Sequence, residues 1–208
     1  MNRLVLAICS VTLFAACPNP ADKAQKAQVG ETKAAVEKTP AKKTDAMALA
    51  LDPAKSSVGF VGSKVTGNHE GGFDKVEGTI HFIEGVVGSR AAITIDMTSV
   101  KSDSDKLTGH LRSPDFFDVE KFPTAKFRII EMKKVEGDRY KVSGELDLHG
   151  VTKGIVFEAT ITADATAVRA KSEFSINRKD FGIVYAGKPD DLIRDDVLIK
   201  LDVVAPKS

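Results

Sequence analysis

From about Leu49 to the C-terminus, apolar and polar residues alternate with a period of two. Residues 90–97 set Ile93, Ile95 and Met97 against Ala92, Thr94 and Asp96. Tyr140, Val142, Leu146 and Leu148 alternate with Lys141, Ser143, Glu145 and Asp147. Ile155, Phe157, Ala159 and Ile161 alternate with Val156, Glu158 and Thr160, and Phe174 and Ile176 lie opposite Glu173 and Ser175. The chain closes with Val197, Ile199, Leu201 and Val203 on one face and Lys200 and Asp202 on the other. One apolar and one polar face marks antiparallel strands. Turn-forming strings separate them: Glu136-Gly137-Asp138, Gly150-Val151-Thr152-Lys153-Gly154 and Ala163-Asp164-Ala165-Thr166. Adding residues 57–65, 75–82 and 127–134 brings the count to about eight strands with short turns. That predicts an all-β domain, either an up-and-down barrel or a sandwich.

The alternation stops between Thr98 and Thr124. Lys101-Ser102-Asp103-Ser104-Asp105 supplies N-cap residues, and Leu107 and Leu111 fall four apart on one helical face. Ser113-Pro114 has the form of a second helix start, ahead of the adjacent pair Phe116 and Phe117. A helical insertion of this kind needs an apolar surface to rest on, and the end of a barrel would supply one.

Ahead of Leu49 the chain has another character. Residues 1–16 read as an export signal, with Arg3 in front of an apolar run too short to span a bilayer, which takes about twenty residues. The run ends in Phe14-Ala15-Ala16-Cys17, which resembles the lipobox of bacterial lipoproteins, where cleavage precedes Cys and the thiol carries lipid. Cys17 is therefore the expected lipidation site, and the expected location is the periplasm or an outer-membrane-anchored lipoprotein. Residues 17–48 are rich in Ala, Lys, Glu, Thr and Pro, with almost no large apolar side chain. Such composition cannot offset its ordering entropy, so a disordered tether is expected there, with the folded domain at 49–208.

Composition and charge narrow the chemistry. The net charge is +1 and the basic blocks are short, which argues against nucleic-acid binding. Both cysteines, Cys9 and Cys17, precede the folded part, which excludes disulfides and thiol chemistry from it. The four histidines, His69, His81, His110 and His149, show no helical zinc spacing, so no metal is expected. No Gly-x-Ser-x-Gly elbow occurs, and the acidic pairs Asp190-Asp191 and Asp195-Asp196 fit turns better than acid–base catalysis. No catalytic residue is assigned. Arg112 and Arg178 remain as polar candidates, either pinning their loops or facing an anionic group.

The string from Leu107 through Gly109-His110-Leu111-Arg112 to Phe116-Phe117-Asp118, followed by Phe122-Pro123-Thr124-Ala125, resembles the YceI-like family of bacterial periplasmic proteins. Gly71-Gly72-Phe73, Leu148-His149-Gly150-Val151-Thr152-Lys153 and Asn177-Arg178-Lys179-Asp180-Phe181-Gly182 fit it in the same order. The resemblance implies an eight-stranded antiparallel lipocalin-like barrel with a short helical insertion. It also implies a cavity for a polyisoprenoid or an isoprenoid quinone-like lipid, held for carriage or storage without a separate cofactor. By alternation, Phe60, Ile93, Ile95, Phe127, Ile129, Leu146, Phe157, Phe174, Ile176 and Leu201 would line it. Leu107, Leu111, Phe116 and Phe117 would form its mouth, and His69, His110, Arg112 and Arg178 would be the head-group contacts. The residues alone leave both open, because an eight-stranded barrel holds either side chains or one small ligand, and they favour a filled core as the default for an apolar face. A solid-core structural lipoprotein and a redox or enzymatic accessory acting on a quinone-like lipid are the alternatives. Monomer and dimer are both compatible with the sequence.

Overall fold

The structure, a computed structural model, describes residues 18–31 and 46–207. Two short strands come first, β1 (Gln25–Lys26) and β2 (Gln28–Gly30). The next six are β3 (Met47–Ala50), β4 (Ser57–Ser63), β5 (Asn68–Phe73), β6 (Val76–Phe82), β7 (Arg90–Asp96) and β8 (Val100–Ser102). Helix α1 (Asp105–Arg112) follows, then the long arms β9 (Thr124–Glu136), β10 (Arg139–Leu148), β11 (Val151–Ala163) and β12 (Ala167–Asn177). A small hairpin of β13 (Gly187–Lys188) and β14 (Asp191–Leu192) precedes the closing strand β15 (Asp196–Pro206).

The all-β fold with one helical insertion is as the alternation implies; the closed ring of eight strands is not. Eleven strands follow one another in an open, curved path, β3-β6-β7-β9-β10-β11-β12-β15-β4-β5-β8, with β1 and β2 attached to β12 and β11. The reason lies in three arms that break. A turn at residues 52–55 separates β3 from β4, residues 74–75 separate β5 from β6, and a 3-10 turn at Met97–Ser99 separates β7 from β8. Each break lets one length of chain pair with different neighbours: β3 pairs with β6, whereas β4 pairs with β15 and β5. The β3 end of the path is tied in at the first break, where the Leu51 amide donates to the Gly78 carbonyl on β6 and the Asp52 amide to that of Val204 on β15. Strand β5 carries no alternation to betray it, since it reads Asn68-His69-Glu70-Gly71-Gly72-Phe73.

Turn chemistry is local. His149 and Gly150 join β10 to β11 in two residues, both at positive φ (54° and 74°), the geometry that suits the twist of a tight hairpin. Thr152, Lys153 and Gly154, read from sequence as part of that turn, are already in β11. The second expected helix start at Ser113 gives only turns, which the Phe116 amide closes onto the Ser113 carbonyl.

The segment expected as a disordered tether, residues 17–48, is ordered where it is described. Residues 18–30 lie along the sheet, because β11 and β12 part and leave unpaired backbone for them to meet. Direct pairing between those arms runs only from Thr160↔Lys171 to Ala163↔Val168. Above it, Gln25 and Lys26 pair in parallel with Phe174 and Ser175, while Gln28, Val29 and Gly30 pair with Val156, Ile155 and Gly154. Asn19 is buried at the start of this segment and accepts hydrogen bonds from Ser63 Oγ (2.9 Å) and the Ala21 amide (3.1 Å). Residues 1–17, with Cys17, and 32–45 lie outside the described residues.

The β11–β12 hairpin is held by Asp164, which accepts from the amides of Thr166 and Ala167, from Thr166 Oγ1 and from Arg169. The Thr166 hydroxyl and these other donors hold its carboxyl well below the usual range. A depressed folded-state value stabilises the fold above the unfolded value, about 4, and the contribution fades as pH falls through the folded one. Asp164→Ala is expected to lower Tm at neutral pH, with the gap to the unsubstituted chain narrowing below about pH 4. Thermal melts across that range check this, and a gap independent of pH would contradict it.

Candidate functional site

Inward-facing rows of the sheet change character along their length. Towards the β9–β10 hairpin they are packed: Tyr140, Val142, Phe157, Ala159, Ile161, Val203 and Ala205 are all buried. Towards α1 the same rows continue with Leu146 and Leu148 on β10, Ile95 on β7, Phe127 and Ile129 on β9, and Ile199 and Leu201 on β15. All of these touch the main apolar cluster, yet stay only half-buried. Side chains in a filled core lose nearly all their exposure, so inward residues that keep it line space. On β9 the phase is kept by a bulge at Ile130, where Ser143 faces Glu131 and Gly144 faces Ile129.

Aromatic rings form the walls. Phe60, Phe73 and Phe117 make a triangle with centroids 5.8, 6.0 and 5.8 Å apart. Phe157 stacks on Phe174 at 4.2 Å and approaches Phe127 at 5.7 Å. Gly71 and Gly144 sit under the Phe60 and Phe127 rings, where an added Cβ would collide, so these glycines let the rings lie against the wall.

A roof covers the accessible half. Helix α1 starts on an Ser104 cap whose Oγ accepts from the Leu107 amide. It turns Leu107 and Leu111 onto Phe60 and Phe116, joined by Ile183, Tyr185 and Ile193 from the loop after β12. His110 bonds Asp115 at 2.9 Å, and its ring meets Phe116 at 4.9 Å and Tyr185 at 5.1 Å, linking helix to loop. The loop itself is pinned by Arg178, which is 5% exposed. Its Nε donates to the Arg194 carbonyl (3.2 Å), Nη1 to that of Ile183 (2.7 Å), and Nη2 to Ile193 (3.4 Å) and the Asp195 carboxylate (3.3 Å). Burial pushes the guanidinium below its ordinary value, against the pull of Asp195.

The expected residues thus divide. Nine of the ten cavity residues belong to the main cluster and Phe60 to the one under the helix, with Ile93, Phe157, Phe174 and Ile176 in the packed part. The four mouth residues are in the roof. The polar four are not gathered round a common point by their bonds. His69 is on β5 and bonds Asp103 at 2.9 Å, Arg112 is exposed and reaches the Val100 carbonyl at 3.3 Å, and Arg178 is bonded to its own loop. Burial favours a raised Asp103 carboxyl, but the bonds from His69 and the Glu70 amide hold it below its usual range. His149 bonds the Phe181 carbonyl at 3.2 Å and packs on Phe122. Among the described residues no cluster of His, Cys, Asp or Glu has metal-binding form.

Sequence reasoning missed Phe73, Leu148, Ile199 and Tyr185. The first three carried a signal, two in the alternation and one beside the Gly71-Gly72 pair; Tyr185 carried none. A groove of about 740 Å³ also runs over the sheet beside Gly59 and Gly72. Lys101, Lys171, Glu173, Lys200 and Asp202 line much of it, so it does not suit an apolar chain.

Residues 49–205 match the YceI-like domain model. The chain belongs to the YceI family. A UPF0312 protein of Photorhabdus laumondii is 34% identical over 144 residues, covering 66% of this chain and 74% of that protein. Protein YceI of Escherichia coli O6:H1 is 35% identical over 120 residues, 54% of this chain and 62% of that one. Among solved structures, BcnA of Burkholderia cenocepacia superposes with a TM-score of 0.68 at 24% identity, over 74% of this chain and 99% of BcnA. A domain from Saccharophagus degradans, described as polyisoprenoid binding, gives 0.65 at 22% identity over 78% and 99%. These two share the YceI fold with this chain.

Because Arg178 satisfies three carbonyls and a carboxylate inside the roof, Arg178→Ala should cost about 3 kcal/mol, the scale of breaking a buried charged hydrogen-bond set. Arg178→Lys should recover only part, since an ammonium lacks the planar fork. Urea unfolding of both variants checks this.

Proposed function

We propose that this protein is an exported lipid carrier that holds one long apolar chain, of the polyisoprenoid or isoprenoid-quinone kind, between the inner rows of its curved sheet. The observation that carries this is the half-buried inward row of Ile95, Phe127, Leu146, Leu148, Ile199 and Leu201 beneath the roof. The row is apolar throughout, as a hydrocarbon chain requires, and hydrophobic contact scales with the apolar area removed from water. The Saccharophagus domain described as polyisoprenoid binding has the same fold, which supports the ligand class. His69, His110 and Arg178 are each engaged by groups of this chain, so the site reads as a binder and not as a reaction centre.

Export rests on residues 1–16, and the Ala15-Ala16-Cys17 string supports lipidation at Cys17 and a periplasm-facing membrane anchor. A lipid with two or more acyl chains on that cysteine would hold the protein stably at a membrane, where an apolar cargo is found. The folded unit is residues 49–208, preceded by the segment that lies along the sheet.

Organic extraction of protein purified from its native host, followed by mass spectrometry, is expected to release a long-chain isoprenoid lipid. Leu146→Trp combined with Ile199→Trp tests the space directly. In a filled core such enlargement costs about 1–3 kcal/mol per site. Here the pair is expected to cost less than about 1 kcal/mol in total while cutting bound lipid several-fold. A large loss of stability with no lipid in either protein would instead establish a solid core.

A further inference from the structure

The wall has one place where two neighbouring arms separate. Ser172 Oγ bridges to the Glu158 carbonyl at 2.5 Å beside the last direct pair of β11 and β12, and above it the arms are no longer hydrogen-bonded to each other. Residues 25–30 fill the slot. The Ala27 amide donates to the Ser175 carbonyl (2.9 Å), and Gln25 Oε1 accepts from the Glu158 amide (2.9 Å). Ala27 is buried in the main apolar cluster and Val29 packs against it, so the inner side of this segment forms part of the wall next to Ile155, Phe157 and Phe174. The family domain begins at residue 49, and this closing segment lies outside it.

We propose that the slot between β11 and β12 is the lateral entrance to the apolar interior, and that residues 25–30 are its displaceable closing strand. This rests on the carrier function proposed above. Three of the closures between solvent and the interior differ in strength. The hairpin end is packed with Met132, Tyr140, Val142, Val203 and Ala205. The roof buries Leu111, Phe116, Phe181 and Ile183 and is pinned by Arg178. The closing strand has two residues paired on one side and three on the other, where β12 and β15 share eleven, and its one fully buried side chain is an alanine. Its ion pairs, Lys26 with Asp196 and Glu31 with Lys153, are largely exposed and therefore weak. Its upstream end is fixed by Asn19 on Ser63 and by Ala21 packed with Val61 and Leu198. Residues 25–30 can therefore swing out while residues 19–23 stay anchored, and the shortest-paired element opens first.

Gln28 and Val156 face each other across the closure. Opposed antiparallel residues have Cα atoms about 4.5–5.5 Å apart, within disulfide range. The test uses the full chain with Gln28→Cys and Val156→Cys, and with Cys9→Ser and Cys17→Ser so that only the new pair oxidises. Uptake of a fluorescent polyisoprenyl alcohol from phosphatidylcholine vesicles is followed by stopped flow. Oxidation is expected to slow uptake at least tenfold without changing the amount bound at equilibrium, and reductant should restore the rate, which also shows that the variant is folded. Val29→Ala, which loosens the strand, should act oppositely and speed uptake about threefold. Equilibrium binding with equal rates in the oxidised and reduced forms would overturn the entrance alone. No binding in either form, with none in the unsubstituted chain, would overturn the carrier function and the entrance with it.

Discussion

A buried N–H or C=O that finds no partner costs as much as a lost hydrogen bond, so a sheet curled round an apolar interior must be paired along its whole height. Most of this wall meets that demand with long antiparallel ladders, the longest of them β12 against β15. The demand cannot be met between β11 and β12 above Thr160 and Lys171, because the two arms diverge. Residues 25–30 enter at that point. They supply a parallel partner for β12 and an antiparallel one for β11. The N-terminal segment is structural for this reason, despite a composition that offers almost nothing to bury. Its binding is a backbone matter, with Ala27 and Val29 small enough to fit the space between Ile155 and Phe174.

The same economy shapes the roof. Helix α1 has eight residues, too few to be stable alone, and it depends on the surface beneath it. That surface is the Phe60–Phe73–Phe117 triangle with Phe116 and Ile183. The loop after β12 has little regular structure of its own, and its carbonyls at Ile183, Ile193 and Arg194 would point into a dry place. Arg178 answers all three at once. A planar guanidinium with five donors is the side chain suited to collecting several acceptors, which explains an arginine buried in an apolar neighbourhood.

Periodicity made much of this legible. Long arms such as β10 and β15 announce themselves because apolar residues recur at every second position, and the turns on either side of β10 carry Gly137 and Gly150. The inward residues followed from the same rule. What escaped did so for physical reasons. Strand β5 is held by its neighbours β4 and β8 and has few apolar side chains of its own, so its pairing is written in those neighbours. The strands set off by the breaks at residues 52–55, 74–75 and 97–99, β3, β5 and β8, are too short or too polar to show an alternation of their own, and eight arms therefore read as eight strands. The polar candidates misled in another way. His110 adjoins Leu111 and Arg178 lies in a motif bounded by Ile176 and Phe181, as a ligand contact would, but they face Asp115 and backbone carbonyls that sequence spacing cannot foretell.

The division between a packed hairpin end and an accessible roof end ties these features together. Phe157 stacked on Phe174 stands where the two meet, directly behind the slot that residues 25–30 fill. Fully burying a phenylalanine is worth about 2–3 kcal/mol, so the packed end can stabilise the fold and leave the inner rows near α1 free of that task. A sheet stabilised along its entire length could not keep Leu146, Leu148 and Ile199 half-accessible without losing that contact. Placing the weakest closure beside the boundary has a further consequence. Displacing residues 25–30 uncovers the interior without disturbing either the packed end or the Arg178-pinned roof, so opening need not unfold anything that holds the protein together. The family model spans residues 49–205, the container; the piece that closes its side lies outside that range.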